Sequence, residues 1–108
     1  TKALKYQLAE TLAFNRAIGE VKDWLSQEEK RSENTLRVVV SDHDTGGFAI
    51  NGPGDSLVKK GNIVEDGWTT GGHTAEDSMI WSQGPGSSHL GRPLDNTDLF
   101  QVMKRVLN

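Results

Sequence analysis

Asp42, His43 and Asp44 directly follow a short β-branched run and carry side chains that bind metal ions or move protons. The run is predicted to be a buried strand that breaks off at Gly46 and Gly47. Adjacent residues in a regular strand point to opposite faces, so Asp42 and His43 can reach one metal ion only where the backbone turns. The two glycines supply that turn, and a carboxylate beside an imidazole is half of a typical zinc site. Alternatively, these side chains only satisfy neighbouring backbone groups.

A second histidine, His73, follows 30 residues after the first (73 − 43), inside the sequence Thr70-Gly71-Gly72-His73-Thr74. It is either a ligand presented by a tight glycine turn, where the backbone can approach closely, or a loop histidine bonded to a carbonyl. Asp44 either orients a ligand imidazole through a hydrogen bond or faces water. His89 lies in a glycine-rich loop and is expected to be solvated.

Composition limits what can surround these residues. The chain has 108 residues, 34% of them hydrophobic, and 12 glycines, which is a thin supply for a core and favours a piece of something larger. Its net charge of −3 and scattered arginines predict no nucleic-acid partner and no membrane surface. Because there are no cysteines, any metal must be held by histidines and carboxylates.

The pattern of apolar residues predicts an α/β chain. Apolar residues recur every three or four positions over 4–29, which indicates an amphipathic helix with one side toward a core; the tryptophans are also expected to pack inside. A polar loop then leads to a strand at 36–41. Residues 46–67 are predicted to be an excursion over the surface, with a short edge strand at 48–50. A strand at 78–82 and a helix at 96–107, capped from Asp95, complete the order.

Several of these segments together resemble the bacterial alkaline phosphatase family. Residues 38–47, Val-Val-Val-Ser-Asp-His-Asp-Thr-Gly-Gly, look like the family's Thr-Ala-Asp-His-Glu-Thr-Gly-Gly stretch, and residues 68–74 resemble its second histidine motif. Gly-Pro-Gly at 84–86 and Leu-Asp-Asn-Thr-Asp-Leu-Phe at 94–100 follow in the family's order. Residues 10–17 resemble the helix before the metal-binding strand. The similarity spans nearly the whole chain, and four ordered motifs are more specific than any one of them.

The resemblance implies the C-terminal part of a layered αβα sheet and a phosphomonoesterase with two zinc ions and one magnesium ion. In such an enzyme a serine attacks phosphorus and water hydrolyses the phosphoserine. On the family's pattern, Asp42 and His43 match ligands of the zinc that activates the serine. His73 matches a ligand of the other zinc, which activates water and holds the leaving-group oxygen.

Other parts of the family's site have no counterpart in this chain. The nucleophilic serine, the phosphate-binding arginine, the magnesium ligands and the remaining zinc ligands would all precede the first helix. Ser41 replaces the usual alanine and Asp44 the usual glutamate, and neither change removes a ligand. Because stable zinc sites use three or four ligands, we expect the isolated chain to bind zinc weakly and to lack phosphatase activity.

The resemblance also implies partners and a location. The expected partners are the missing N-terminal part, a phosphate monoester and a second copy in a homodimer, in the periplasm or outside the cell. Two other interpretations stay open. One is another hydrolase of the same superfamily, such as a phosphodiesterase or sulfatase, or a mutase on the same metal scaffold. The other is a non-catalytic structural half-domain.

Overall fold

The fold is that of a computed structural model, which describes residues 4–51 and 65–108. Two compact units are present: the described residues of Thr1–Thr11 and Ser41–Ser78 form one, and Leu12–Val40 with Met79–Asn108 form the other. The described elements are α1 (Leu4–Ser26), α2 (Glu29–Glu33), β1 (Arg37–Val40), β2 (Phe48–Asn51), β3 (Glu65–Trp68), β4 (Ile80–Gln83), a 3-10 helix (Ser87–Leu90) and α3 (Asn96–Leu107).

Helix α1 ends at Ser26, three residues before the predicted end at 29, and a second short helix replaces most of the predicted polar loop. Side chains of that second helix bind the last carbonyl groups of the first. The Arg31 guanidinium donates to the Trp24 carbonyl at 3.1 Å, and the Ser32 hydroxyl donates to the Leu25 carbonyl at 3.0 Å. These bonds satisfy carbonyls that lack a partner within the helix, so α1 can stop there.

The second unit contains an antiparallel pair of strands, β1 and β4, in which Arg37 lies opposite Gln83 and Val40 lies opposite Ile80. Strand β1 is one residue shorter at each end than the predicted strand at 36–41. Strand β4 overlaps the predicted strand at 78–82 but begins two residues later and ends one residue later. Helix α3 covers the predicted range, 96–107. The Asp95 side chain accepts a hydrogen bond from the Thr97 backbone at 3.1 Å, and Asp98 completes a capping box.

The first unit contains the antiparallel pair β2 and β3; β2 lies within the predicted excursion at 46–67, and β3 extends one residue past its end. Phe48 lies opposite Trp68, and the centroids of their rings are 4.9 Å apart. Residues 52–64 of that excursion lie outside the described residues. Strand β3 begins Glu-Asp-Gly, residues with little strand preference, so sequence pattern alone does not predict it. The layered αβα sheet stays a prediction, since the described strands pair only two by two.

Apolar residues that were predicted to face a core are largely exposed. On α1, Phe14, Val21 and Trp24 recur at helical spacing but are 56%, 45% and 48% exposed. Trp81 on β4 is 58% exposed. Among the described residues, the buried hydrophobic side chains are Leu25, Leu90 and Val102, each of which is still 5–8% exposed. The prediction of a core-facing stripe is therefore wrong for the described part of the chain. The Arg31 guanidinium lies over the Trp24 ring, 4.5 Å from its centroid, and still leaves that residue about half exposed. No helix within the described ranges is both long enough and apolar enough to cross a bilayer.

Candidate metal centre

The turn that follows β1 holds Asp42 and His43 in a defined arrangement. The Ser41 hydroxyl donates to the His43 carbonyl at 2.8 Å, and the His43 backbone N–H donates to Asp42 Oδ1 at 3.1 Å. The turn ends at Gly46 and Gly47, whose φ angles of 77° and 54° are in the left-handed region that favours glycine. Strand β1 itself ends at Val40, six residues before Gly46 (46 − 40), so the two glycines complete the turn rather than end the strand.

The hydrogen bonds of the His43 ring define its tautomer. Nδ1 lies 3.1 Å from the main-chain carbonyl oxygen of Asp44. A carbonyl oxygen can only accept, so Nδ1 carries the hydrogen and donates it; the Thr45 hydroxyl oxygen, at 3.3 Å, is a second acceptor. Nε2 is therefore the nitrogen with a free lone pair in the neutral ring, as in metal-binding histidines whose other nitrogen donates to a carbonyl.

That free nitrogen faces a carboxylate. His43 Nε2 lies 3.2 Å from Asp42 Oδ2, and the side chains are 39% and 85% exposed. Two lone pairs at this distance repel unless a positive charge lies between them, either a proton on Nε2 or a metal ion. Two ligand atoms about 2.0 Å from a tetrahedral zinc ion are about 3.3 Å apart. The pair thus matches zinc in donor type and in the distance between the two donor atoms.

His73 comes to the same place from 30 residues further along the chain (73 − 43). A β-bridge pairs its backbone with that of Thr45. Its ring stacks on the His43 ring, with the ring centroids 3.5 Å apart and the planes inclined by 25°. Asp42, His43 and His73, the predicted metal ligands, therefore form one exposed cluster.

The close approach of the two segments depends on Gly46 and Gly47. The Gly46 carbonyl accepts hydrogen bonds from the backbone N–H groups of Thr69 at 2.7 Å and Thr70 at 3.2 Å. A Cβ on Gly47 would lie 2.2 Å from the Thr69 hydroxyl oxygen. Glycine at 47 is thus required both by the backbone angle and by the space available.

The glycines before His73 have a different role from the one that the sequence suggests. A Cβ on Gly71 would meet no atom within 4 Å, and one on Gly72 would meet only the Thr70 hydroxyl, at 3.9 Å. The turn is instead held by Thr70, whose hydroxyl accepts from the Gly72 N–H at 2.9 Å and donates to the Gly72 carbonyl at 3.2 Å. Close packing of Gly71 and Gly72 is therefore not what presents the histidine.

The Asp44 carboxylate joins the two histidine segments to each other. It accepts a hydrogen bond from the Thr74 hydroxyl and another from the Gly47 N–H, the latter at 3.3 Å. The Thr74 hydroxyl is the main cause that lowers the pKa of Asp44 below its ordinary value of 3.8, and the Gly47 N–H adds to it. The carboxylate does not orient an imidazole directly. The Asp44 main-chain carbonyl does so, through Nδ1 of His43.

Other candidates lie elsewhere. His89 is exposed on the 3-10 helix, in the other unit, as the sequence predicts for a solvated histidine. Thr74 and Thr45 also belong to this site, although no sequence pattern identifies them as functional. The available signal was that Thr74 follows His73 and Thr45 follows Asp44. Within 4–51 and 65–108, no three histidine, aspartate or glutamate side chains are arranged to hold one metal ion.

Comparison with known proteins finds a partial sequence match. A stretch of 41 residues is 48% identical to alkaline phosphatase 3 from Bacillus subtilis (strain 168). The aligned stretch spans 38% of this chain and 9% of that enzyme. No family model matches the chain, and no solved structure matches it. Part of the chain is thus similar to part of an alkaline phosphatase.

Proposed function

We propose that this chain provides ligands for two metal ions in an enzyme that hydrolyses phosphate monoesters. The observation that carries the proposal is the convergence of Asp42, His43 and His73, with two imidazole rings 3.5 Å apart. The partial identity to alkaline phosphatase 3 supports a phosphatase as the enzyme class. The layered αβα fold belongs to the same proposal.

The ligands divide between the two ions. Asp42 Oδ2 and His43 Nε2 hold one zinc ion, since their separation of 3.2 Å matches one edge of a tetrahedral zinc site. His73 holds the other zinc. Paired catalytic metal ions are about 3.5–4 Å apart, and the stacked rings of the two histidines have a similar separation. Two parallel imidazoles can therefore each bind a separate ion.

The residues of the chain place the ions and keep the ligands correctly protonated. The Asp44 carbonyl keeps the hydrogen of His43 on Nδ1, so that Nε2 stays available. The Asp44 carboxylate, through Thr74, fixes the segment that carries His73. When bound, two zinc ions stabilise the entering and leaving oxygens of a phosphoryl transfer and activate a serine and a water molecule.

A further polypeptide portion supplies what this chain lacks. With two protein ligands on one zinc and one on the other, each ion needs more ligands than the predicted ones in this chain offer. We place the nucleophilic serine, the phosphate-binding arginine, the missing zinc ligands and the ligands of one magnesium ion in a portion upstream of residue 1. The assembled enzyme forms a homodimer and works in the periplasm or outside the cell.

The exposed side of α1 supports an upstream partner. Phe14, Val21 and Trp24 expose about half of their surface, although their spacing is that of a helix packed against a neighbour. Large apolar side chains exposed at helical spacing are typical of a surface that packs against a partner. The upstream portion covers this side and so completes the core.

The test compares this chain with the same chain assembled with the upstream portion. We expect 4-nitrophenyl phosphate hydrolysis only in the assembly. His73→Ala should lower the rate at least about a hundredfold, with loss of one zinc per chain, because a metal ligand is removed. His89→Ala is the matched control and should keep full activity and zinc content.

Three outcomes would contradict the proposal. Enzyme-like phosphatase activity of residues 1–108 alone would refute the need for the upstream portion. Preference for bis(4-nitrophenyl) phosphate or 4-nitrophenyl sulfate would indicate the phosphodiesterase or sulfatase interpretation. Unchanged zinc content in both Asp42→Asn and His43→Ala would indicate a non-catalytic structural module.

A further inference from the structure

A small cavity lies in the unit formed by Leu12–Val40 and Met79–Asn108, whereas the residues of the metal centre belong to the other unit. Its volume is about 190 Å³. The end of α1, the segment before β1 and the paired ends of β1 and β4 form its walls. The residues that matter for its chemistry are Lys22, Ser26, Ser32, Thr35, Arg37 and Gln83.

The cavity carries positive charge without a counter-charge. Lys22 and Arg37 are both in its lining, and no aspartate or glutamate is. Neither cation forms an ion pair with a carboxylate in the part of the chain that the structure describes. By contrast, Arg31 pairs with Glu28 at 2.5 Å and Arg92 with Asp98 at 3.7 Å. The chain has a net charge of −3, so two cationic side chains without carboxylate partners stand out at this cavity. Their charge favours the binding of an anion there.

The hydrogen-bonding groups of the lining also suit an anion. The Arg37 guanidinium donates to Gln83 Oε1 at 2.5 Å, which leaves the other Arg37 donors and the Gln83 amide NH₂ available. The hydroxyls of Ser26 and Ser32 are already committed as donors to main-chain carbonyls. The donors for a ligand are therefore Lys22, Arg37, the Gln83 amide and the Thr35 hydroxyl.

We propose that this cavity binds a free tetrahedral oxyanion of the phosphate or sulfate class. Sites for larger organic ligands are typically about 300–1,000 Å³, so the cavity suits a small ion better than a nucleotide or a sugar phosphate. A guanidinium and an ammonium supply the charged, forked donors that such oxygens accept. This inference does not depend on the proposed metal centre, because none of the lining residues belongs to it.

The test is a ¹H–¹⁵N NMR titration of the 108-residue chain with sodium phosphate, at constant ionic strength in sodium chloride and with EDTA to exclude metal-bound phosphate. Saturable shifts are expected around Lys22, Arg37 and Gln83. Arg37→Gln should weaken phosphate binding at least about tenfold, because charged hydrogen bonds are lost. Lys22→Gln, on the exposed surface of α1, should weaken phosphate binding at least about threefold. This variant remains a test of the proposal if Arg37→Gln does not fold. Arg16→Gln is the matched control.

The proposal is overturned if phosphate causes only linear, chloride-like shifts, or if Lys22→Gln and Arg37→Gln bind phosphate as tightly as Arg16→Gln does. A parallel titration with glycerol phosphate distinguishes the source of the oxyanion. Weaker binding of the ester than of inorganic phosphate supports a site for the free ion. Tighter binding of the ester overturns that assignment.

Discussion

Asp42 and His43 present a carboxylate oxygen and an imidazole nitrogen to each other at 3.2 Å, with the ring hydrogen directed away to the Asp44 carbonyl. A positive charge between the two atoms, either a proton on Nε2 or a metal cation, would remove the repulsion of their lone pairs. Because the side chains are exposed, that cation can enter from solvent, and the carboxylate charge favours a divalent ion over an uncharged ligand. At the scale of the residue, this spacing of a carboxylate oxygen and a ring nitrogen is the one that the proposed zinc site would use.

The first prediction concerns that edge. Asp42→Asn keeps the shape of the side chain and removes its negative charge. We expect zinc affinity in the assembled protein to fall at least about tenfold, measured by competition with a fluorescent chelator. Asp77→Asn, an exposed acid of the same unit, is the control and should leave zinc affinity unchanged. Equal affinities for both variants would contradict the assignment of Asp42 as a ligand.

The second prediction concerns the Asp44–Thr74 hydrogen bond. Thr74→Val removes the main cause that lowers the pKa of Asp44, so this pKa should rise toward its ordinary value of 3.8. Carboxyl ¹³C NMR titration measures the change. The pKa of Asp95, which is lowered by Thr97, should not move and serves as the internal control.

The sign of the associated stability follows from linkage. Because the pKa of Asp44 is lower in the folded chain, its stabilising contribution is fully present above 3.8 and is lost as the pH falls through the folded value. Thr74→Val should therefore reduce the loss of stability on acidification over that range. An unchanged Asp44 titration in the variant would show that the Thr74 hydroxyl does not hold this carboxylate.

At the scale of elements, local patterns predicted some features well. Helix α3 has an aspartate at its cap, an acid in its first turn and apolar residues at helical spacing, and it spans the predicted 96–107. The left-handed turn at Gly46 and Gly47 follows from the adjacent glycines, although β1 already ends at Val40. The early end of α1 did not follow from local pattern, because Arg31 and Ser32 bind its last carbonyls from outside the helix.

Pairing between distant segments was beyond local pattern. Nothing in residues 45 and 73 alone indicates that they form a β-bridge, and the stacking of His43 on His73 follows from that bridge. The ligand set was predicted through the family resemblance, whereas the roles of Thr69, Thr70 and Thr74 in positioning it depend on contacts only coordinates reveal.

The third prediction concerns the glycine turn as an element. Gly47→Ala places a Cβ at positive φ and 2.2 Å from the Thr69 hydroxyl oxygen. We expect the free energy of unfolding to fall by at least about 1 kcal/mol, since an alanine at such a φ is strained. Urea denaturation gives the value.

Gly71→Ala is the matched control for Gly47→Ala. Its Cβ would meet no atom within 4 Å, and its φ is outside the left-handed region. Its free energy of unfolding should stay within about 0.5 kcal/mol of the original chain. If the two alanine variants were equally stable, the turn at Gly47 would not have the described geometry.

At the scale of the whole molecule, the described part of the chain exposes apolar side chains that the proposed upstream portion would cover. Trp24 and Trp81 are 48% and 58% exposed, and the fourth prediction concerns Trp24. In a chain labelled with 5-fluorotryptophan, the ¹⁹F resonance of Trp24 should lose most of its solvent-induced isotope shift once the unlabelled upstream portion is added, because the exposed side of α1 becomes buried. An unchanged shift would show that this side stays open to water.

The most direct test of the central claim is X-ray absorption of the zinc-loaded assembly. We predict nitrogen and oxygen neighbours at about 2.0–2.2 Å and zinc–zinc scattering at about 4 Å. That zinc–zinc scattering should disappear in both His43→Ala and His73→Ala but not in His89→Ala. Zinc–zinc scattering that persists in both ligand variants, or is absent from the original assembly, would contradict the assignment of these two histidines to neighbouring metal ions.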